Sequence, residues 1–355
     1  MTTETFQLDI ITPCFCAGAE SVKQAEVRVP SIRGQLRWWF RTLGGFKSLA
    51  PMTVREQETI IFGSVAGKQG RAGKLMVRVQ TNLLCSRVKD GQSLGYRSFP
   101  DPAYLTFPIQ SRERNGQLTQ FAGRGVIEGG SFNLIILWQG ASALWADVQG
   151  LVAVLGHLGA LGFRGRRAMG ALSFKANSPD LHLALSRFIK PGTITIRTLG
   201  ATAQDQVIPS LGQWLKKWRA HGRTGNNPAE QRYPGFAKAK ADHDHGVARL
   251  NGHQQGGPVY RAALGLPIIQ FFSSSKKTVN WEWNVDNGKA EGRFASPVLL
   301  RPHRDAQGKW HALLIFVDAH KWPVGKQVFL NGQPRTVSRD LYEEMKNDKA
   351  LKVFP

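Results

Sequence analysis

Apolar residues recur along this chain with two periods, and the alternation between them lays out strands and helices in turn. Phe6–Ile11 reads as a partly alternating strand ended by Thr12-Pro13, and Glu26–Val29 as a second, shorter one. Pro30 and Ser31 open a helix, with Ser31 as N-cap and Gly44-Gly45 as the stop. Lys74–Leu84 alternates like a strand. Asp90–Gly125 is loop-rich, with Pro100, Pro102, Pro108 and a basic tip at Arg112–Arg114. Phe132–Trp138 is a further strand, and Leu144, Val148, Leu151, Val152, Leu155 and Leu158 fall at helical spacing. Ala171–Lys175 is the next strand. This order favours an α+β or α/β sheet with its helices on one face.

The β-branched run Thr193–Arg197 starts a second half, so the expected domains are 1–190 and 191–355. Leu211–Ala220 is a basic helix. Residues 222–257, polar and rich in Gly, His and Asn, read as a mobile insertion or a partner-facing loop. Strands resume at Val259–Arg261, Ile268–Phe272, Phe294–Arg301 and Trp310–Asp318, the last two joined by a turn near Asp305–Gly308. Asp340–Ala350 is a charged terminal helix.

Charge adds a partner to this outline. The 355 residues carry 47 Lys and Arg against 25 Asp and Glu, a net charge of +22. Such a surplus repels itself in the compact state, which points to a polyanionic counterweight; a basic surface kept for solubility is the competing account. Arginine forks fit phosphate oxygens, and the flat faces among ten tryptophans suit unpaired bases. Cys14, Cys16 and Cys85 are too few for a disulfide-stapled secreted domain or an all-cysteine zinc site. The longest apolar stretch, Leu151–Phe163, is too short to span a bilayer, and Met1–Ile11 lacks a basic leader. A cytoplasmic protein without a membrane partner is expected.

Two segments concentrate the cations. In the helix after Ser31, Ile32, Leu36, Trp39, Phe40 and Leu43 share one arc at about 100° per residue, while Arg33, Arg37 and Arg41 line up as a separate row. Like charges four residues apart are unfavourable by roughly 0.2–0.5 kcal/mol per pair. A phosphate backbone reverses that sign, and so do acids elsewhere in the fold. Trp38 is expected on the polar side, away from the other aromatics, for base stacking or for cover by the second domain.

The second segment is a glycine-rich loop, Gly162-Phe-Arg-Gly-Arg-Arg-Ala-Met-Gly170. Its glycines let backbone N–H groups approach an anion, and Arg164, Arg166 and Arg167 supply bidentate phosphate contacts beside Gly165. A tight connection is the plainer account. The loop follows a helix and lacks a Gly-Lys-Ser/Thr ending, so ATP binding is not indicated.

The stretches Val29-Pro-Ser-Ile-Arg-Gly-Gln-Leu-Arg-Trp-Trp-Phe-Arg41 and Gly159-Ala-Leu-Gly-Phe-Arg-Gly-Arg-Arg-Ala-Met-Gly-Ala-Leu172 together resemble the RAMP superfamily of CRISPR proteins. They look most like subunit one of the Cmr (type III-B) effector complex. Ile11–Ala19, Leu264–Phe272 and Arg293–Arg301 are similar to other parts of that family. The resemblance implies an α+β fold of two ferredoxin-like (RRM-like) domains with antiparallel sheets. It also implies a place near the crRNA 3′ end, contacts with crRNA and target RNA, and other RAMP subunits as neighbours. The RNA-binding set becomes Arg33, Arg37, Trp38, Arg41, Arg164, Gly165, Arg166 and Arg167. One departure stands out: the family loop usually has glycine after its arginine pair, where this chain has Ala168.

For catalysis the best stretch is Asp242-His243-Asp244-His245, with His221 and His253 near in sequence. Its spacing matches no particular metal site, and a polar loop is the simpler account. His157 in an apolar helix reads as a buried, hydrogen-bonded histidine, and Glu128 as a partner for a basic side chain. No enzyme activity, metal or cofactor is expected; the alternative is a RAMP-type endoribonuclease that processes CRISPR RNA with a His general base.

Overall fold

The computed structural model describes residues 1–18, 24–65, 70–81, 83–85, 88–89, 105–106, 109, 111–114, 117–120, 124–219, 228–272, 274–285, 289–290, 294–318 and 328–354. The chain falls into two compact units, and neither is one continuous stretch. The first comprises Met1–Leu211 with Leu299–Ala319 and Phe354, the second Gly212–Val298 with His320–Val353 and Pro355. The expected domains, in contrast, cut the chain once.

In the first unit, β1 (Thr2–Ile10) buries Phe6, Leu8 and Ile10 and exposes Thr3, Thr5 and Gln7, the alternation of a half-buried strand. It pairs antiparallel with β3 (Gly130–Trp138) and β4 (Leu172–Phe174), and β3 pairs antiparallel with β2 (Leu75–Gln80), giving the order β4–β1–β3–β2. Helices α1 (Val29–Thr42) and α3 (Trp145–Leu158) lay their apolar stripes on this sheet. Leu36, Trp39, Phe40, Leu151 and Leu155 are fully enclosed, each aliphatic or Phe side chain contributing about 1.5–3 kcal/mol by leaving water. A short helix, α2 (Val54–Phe62), packs on α1 and starts at a capping box between Thr53 and Glu56. The pattern along the chain missed α2, although Thr53-Val-Arg-Glu56 carries the signature of a helix start.

α1 begins earlier than expected. Arg28 occupies the cap without a side-chain bond, and Ser31 lies inside the first turn, its N–H donating to the Arg28 carbonyl at 3.1 Å. Pro30 explains the difference, because its fixed φ suits the first turn and its missing N–H costs nothing there.

β5 (Ile194–Thr202) pairs antiparallel with β9 (Trp310–Val317), and β8 (Val298–Arg304) lies on the far side of β9. The expected turn between β8 and β9 forms, with the Gly308 N–H donating to the Asp305 carbonyl. Leu299, Leu313, Ile315 and Val317 join the same apolar core as β1 and α1.

In the second unit β6 (Ile268–Phe272), β7 (Lys277–Val285), β10 (Val328–Leu330) and β11 (Gln333–Arg335) form an antiparallel sheet in that order. Val259 makes a single bridge to Val337, and Arg261–Leu264 turns as a 3-10 helix, so the expected strand at Val259–Arg261 does not form. Within the stretch read as a loop at 222–257, Phe236–Leu250 forms a helix. Its buried side is Ala239, Asp242, His245 and Gly246, and those polar members hide the helical period from a hydrophobicity reading. Residues 221–227 lie outside the described set. Arg112–Arg114 pairs with Gln117–Gln120, while most of the surrounding 90–110 lies outside it. Among the described residues no helix is long and apolar enough to cross a membrane.

Candidate nucleic-acid interface

The α1 arginines meet a carboxylate that the pattern along the chain did not reveal. Glu58 of α2 accepts from Arg37 Nε at 2.7 Å and from Arg41 Nε at 2.6 Å. Glu58 is only 8% exposed; burial pushes its carboxyl up, but the hydrogen bonds from Arg41 and Arg37 hold it below the usual range. Arg33 donates to the Phe62 carbonyl. The repulsion along the arginine row is therefore relieved inside the fold by one shared acid, leaving a cationic excess on this face.

Trp38 does not project away from the other aromatics. Its ring stands edge-on to Trp39 at 4.7 Å and packs partly on the core. The guanidinium carbon of Arg166 lies 4.8 Å over it. Helix and loop, 128 residues apart at these two positions, thus meet in space.

The loop is clamped from both sides. Phe163 N–H donates to Phe15 O and Gly170 N–H to Pro13 O, both at 2.9 Å, beyond the end of β1. Ala168 N–H donates to Leu300 O at 3.1 Å, and Leu300 N–H to Arg166 O at 3.2 Å. Leu161 and Arg167 N–H groups also have backbone acceptors. The expectation that backbone amides greet an anion is thereby reduced: the amides of 161, 163, 167, 168 and 170 are engaged, and the side-chain cations remain. Arg164 Nε donates to the Leu105 carbonyl at 2.5 Å, and Arg167 is buried, donating to Arg166 O. Ala168 has a φ of +71°, in the left-handed region that favours glycine.

Between α1, the loop and β8 lies a cavity of about 340 Å³ lined by Gly34, Gln35, Trp38, Gly165, Arg166 and Arg301, among others. Arg301 was not among the expected site residues. It is 2% exposed, and its terminal nitrogen donates to Gly165 O at 3.0 Å. Burial, reinforced by the nearby Arg166 charge, pushes its guanidinium down to about 9, and burial pushes Arg166 down to about 10. Both stay charged at neutral pH. Arg301 sits in a strand buried at nearly every position, so neither period nor composition marks it. Arg124 is another addition, its guanidinium 4.8 Å over the Phe163 ring of the loop.

The Asp242–His245 segment has structural duties. Asp242 accepts from the Tyr260 and Arg261 N–H groups at 2.8 and 2.7 Å and from Arg261 Nε at 3.0 Å. His245 is 1% exposed, and His243 packs on Phe272 with ring centres 5.0 Å apart. His157 is buried, bonded to Pro179 O and to His303, and Glu128 pairs with Lys89 at 2.7 Å. No group of His, Cys, Asp and Glu among the described residues is arranged to hold a metal ion.

Comparison with known proteins agrees with these motifs. Residues 7–173 match the RAMP superfamily. The chain is 29% identical over 225 residues to CRISPR system Cmr subunit Cmr1-1 of Pyrococcus furiosus, covering 61% of this chain and 56% of that protein. It is 26% identical over 187 residues to subunit Cmr1-2 of the same organism, covering 47% of this chain and 92% of that protein. The match thus spans little more than half the length of the first relative. The crystal structure of Cmr1 from Pyrococcus furiosus in its apo form superposes with a TM-score of 0.53 at 14% identity, over 98% of this chain and 97% of that one, which shows a shared fold. Residues 7–173 of this chain are thus similar to the RAMP superfamily, and the chain is similar to the Cmr1 subunits.

Proposed function

We propose that this chain is an RNA-binding subunit of a type III-B CRISPR (Cmr) effector complex. It would hold crRNA and target RNA near the crRNA 3′ end, beside other RAMP subunits, in RNA-guided antiviral defence in the cytoplasm. It would do no chemistry of its own. The stretches 1–190 and 191–355 would be its two ferredoxin-like halves.

The observation that carries this reading is the meeting of the two cationic motifs at Trp38 and Arg166, with Arg33, Arg37 and Arg41 along the adjoining helix. Phosphates attract such a face, and each neutralised phosphate releases counterions. The expected RNA-contacting set remains Arg33, Arg37, Trp38, Arg41, Arg164, Gly165, Arg166 and Arg167. Arg37 and Arg41 would each exchange part of their bond to Glu58 for a phosphate.

The test is binding of a labelled single-stranded RNA across a salt series. Log affinity should fall linearly with log salt, and Arg166→Ala or Arg37→Ala should reduce the slope by about 0.7 each. Salt-independent binding would overturn the reading. Cleavage of labelled repeat RNA that disappears with His243→Ala would overturn its non-catalytic part.

A further inference from the structure

β6 is an edge strand without the devices that ordinarily protect one. Among the described residues it pairs with β7 alone, so the N–H and C=O groups of alternate residues face away from the sheet. Its sequence, Ile268-Ile-Gln-Phe-Phe272, holds no charge, proline or glycine. Natural sheets blunt such an edge with lysine, proline or a bulge, because an open apolar edge recruits another strand.

The two faces of β6 differ. Ile268 and Phe272 pack toward the apolar core of this unit with Val279 and Trp281. Ile269 and Phe271 point the other way and are 73% and 61% exposed. They stand directly opposite Asn280 and Thr278 of β7, and the next outward residue of β7, Glu282, stands opposite Phe329 of β10. The outer face is therefore apolar at the edge strand and polar on the strand beside it. A second sheet stacked on this face would need apolar residues across several strands. A strand added at the edge needs them only here, where its own side chains would lie beside Ile269 and Phe271.

Charge selects among extended partners. Lys276 and Lys277 are exposed at the turn from β6 to β7 and meet no acid among the described residues. Glu282 lies further in on the same face and disfavours a phosphate chain laid across it. A second copy of this chain brings its own net charge of +22 to the contact and is repelled. An acidic segment is attracted.

We propose that β6 takes up an extended segment of a protein partner as an added antiparallel strand, apolar at alternate positions and acidic at its N-terminal end beside Lys276 and Lys277. This surface lies within the second unit; it goes beyond the RNA-binding reading and does not rest on it.

The probe is the acetylated and amidated heptapeptide Glu-Glu-Val-Thr-Val-Thr-Val, added to the full chain and followed by amide hydrogen exchange. At millimolar peptide, alternate amides within Ile268–Phe272 should exchange at least tenfold more slowly. Threonine suits an exposed strand position, so in Ile269→Thr with Phe271→Thr the melting temperature should hold while this protection is lost. Lys277→Glu should weaken binding of the peptide at least threefold and strengthen that of its Lys-Lys counterpart. No protection by the peptide, or full protection in the double variant, overturns the proposal. A parent dimer in sedimentation that the double variant dissociates would identify the occupant as a second copy and overturn the partner named here. Loss of hexauridylate affinity in the double variant would identify it as RNA, with the same consequence. Should the peptide protect β6 while hexauridylate does not bind the parent, the β6 surface stands and the RNA-binding reading fails.

Discussion

The guanidinium carbon of Arg166 lies 4.8 Å over the ring of Trp38, so the glycine-arginine loop and α1 are held together by a cation on an aromatic face. Arg166 is half-buried, and such contacts are worth about 1–2 kcal/mol when partly desolvated. A double-mutant cycle of Trp38→Ala and Arg166→Ala, followed by urea unfolding, should show a coupling of about 1 kcal/mol. Strict additivity would mean that the contact does not tie the loop to the helix.

Glu58 competes with phosphate for Arg37 and Arg41. Glu58→Gln keeps the shape and removes the negative charge from the face, so RNA affinity should rise several-fold at low salt and the advantage should fade at high salt. The same change weakens the charge-assisted bonds from Arg37 and Arg41 to a nearly buried group, at a cost of about 1–3 kcal/mol of stability in urea unfolding. Weaker RNA binding by a folded Glu58→Gln protein would mean that Glu58 orients the arginines for RNA and does not compete with it.

The sequence pattern reads the first half well because most of its strands and helices are amphipathic. β1 and α1 bury one regular face and β3 alternates over most of its length, so period places them, whereas α3 is buried on all sides from Gly150 to Leu158 and is marked by its length and apolar content. It fails at the helix Phe236–Leu250, where Asp242, which accepts from the Tyr260 N–H, and His245 occupy buried positions. The site divides in the same way. The loop and helix cations are visible as clusters, whereas Glu58 and Arg301 become relevant only through tertiary pairing. Trp38 shows a further limit: helical angles put it off the core arc, but the size of two indoles brings it onto Trp39.

A buried histidine pair makes the fold sensitive to acid. His157 Nε2 donates to Pro179 O at 2.7 Å, so its Nδ1 accepts from His303 Nε2 at 3.2 Å and the Nδ1 of His303 is left without a partner. Burial, with the neighbouring His157 and His311, pushes His303 down to about 3, against the opposing pull of Asp305. An unfolded histidine takes up its proton near pH 6.5, so between about 6.5 and 3 the unfolded chain binds more protons and stability falls as the pH is lowered. Between pH 7 and 5 His303 alone should remove about 2 kcal/mol. Urea unfolding at the two pH values should show a loss smaller by that amount in His303→Gln. Equal losses in both proteins would mean that His303 is not held neutral by the fold.

Positions 168 and 170 of the clamp should differ sharply in their response to a single methyl group. Gly170 has φ +63°, and a Cβ there would lie 2.0 Å from the Leu161 carbonyl oxygen, whose own N–H bonds to Gly170 O. Gly170→Ala therefore has to break that turn and should cost more than about 3 kcal/mol. Ala168 already carries its methyl group at φ +71°, with no exposure to solvent. Ala168→Gly relieves about 1–2 kcal/mol of left-handed strain, but it loses about 0.8 kcal/mol of methyl burial and adds about 0.4–1 kcal/mol of freedom to the unfolded chain. The terms nearly cancel, so urea unfolding of Ala168→Gly should fall within about 1 kcal/mol of the parent. A loss above about 2 kcal/mol would show that residue 168 does not hold a left-handed backbone in solution.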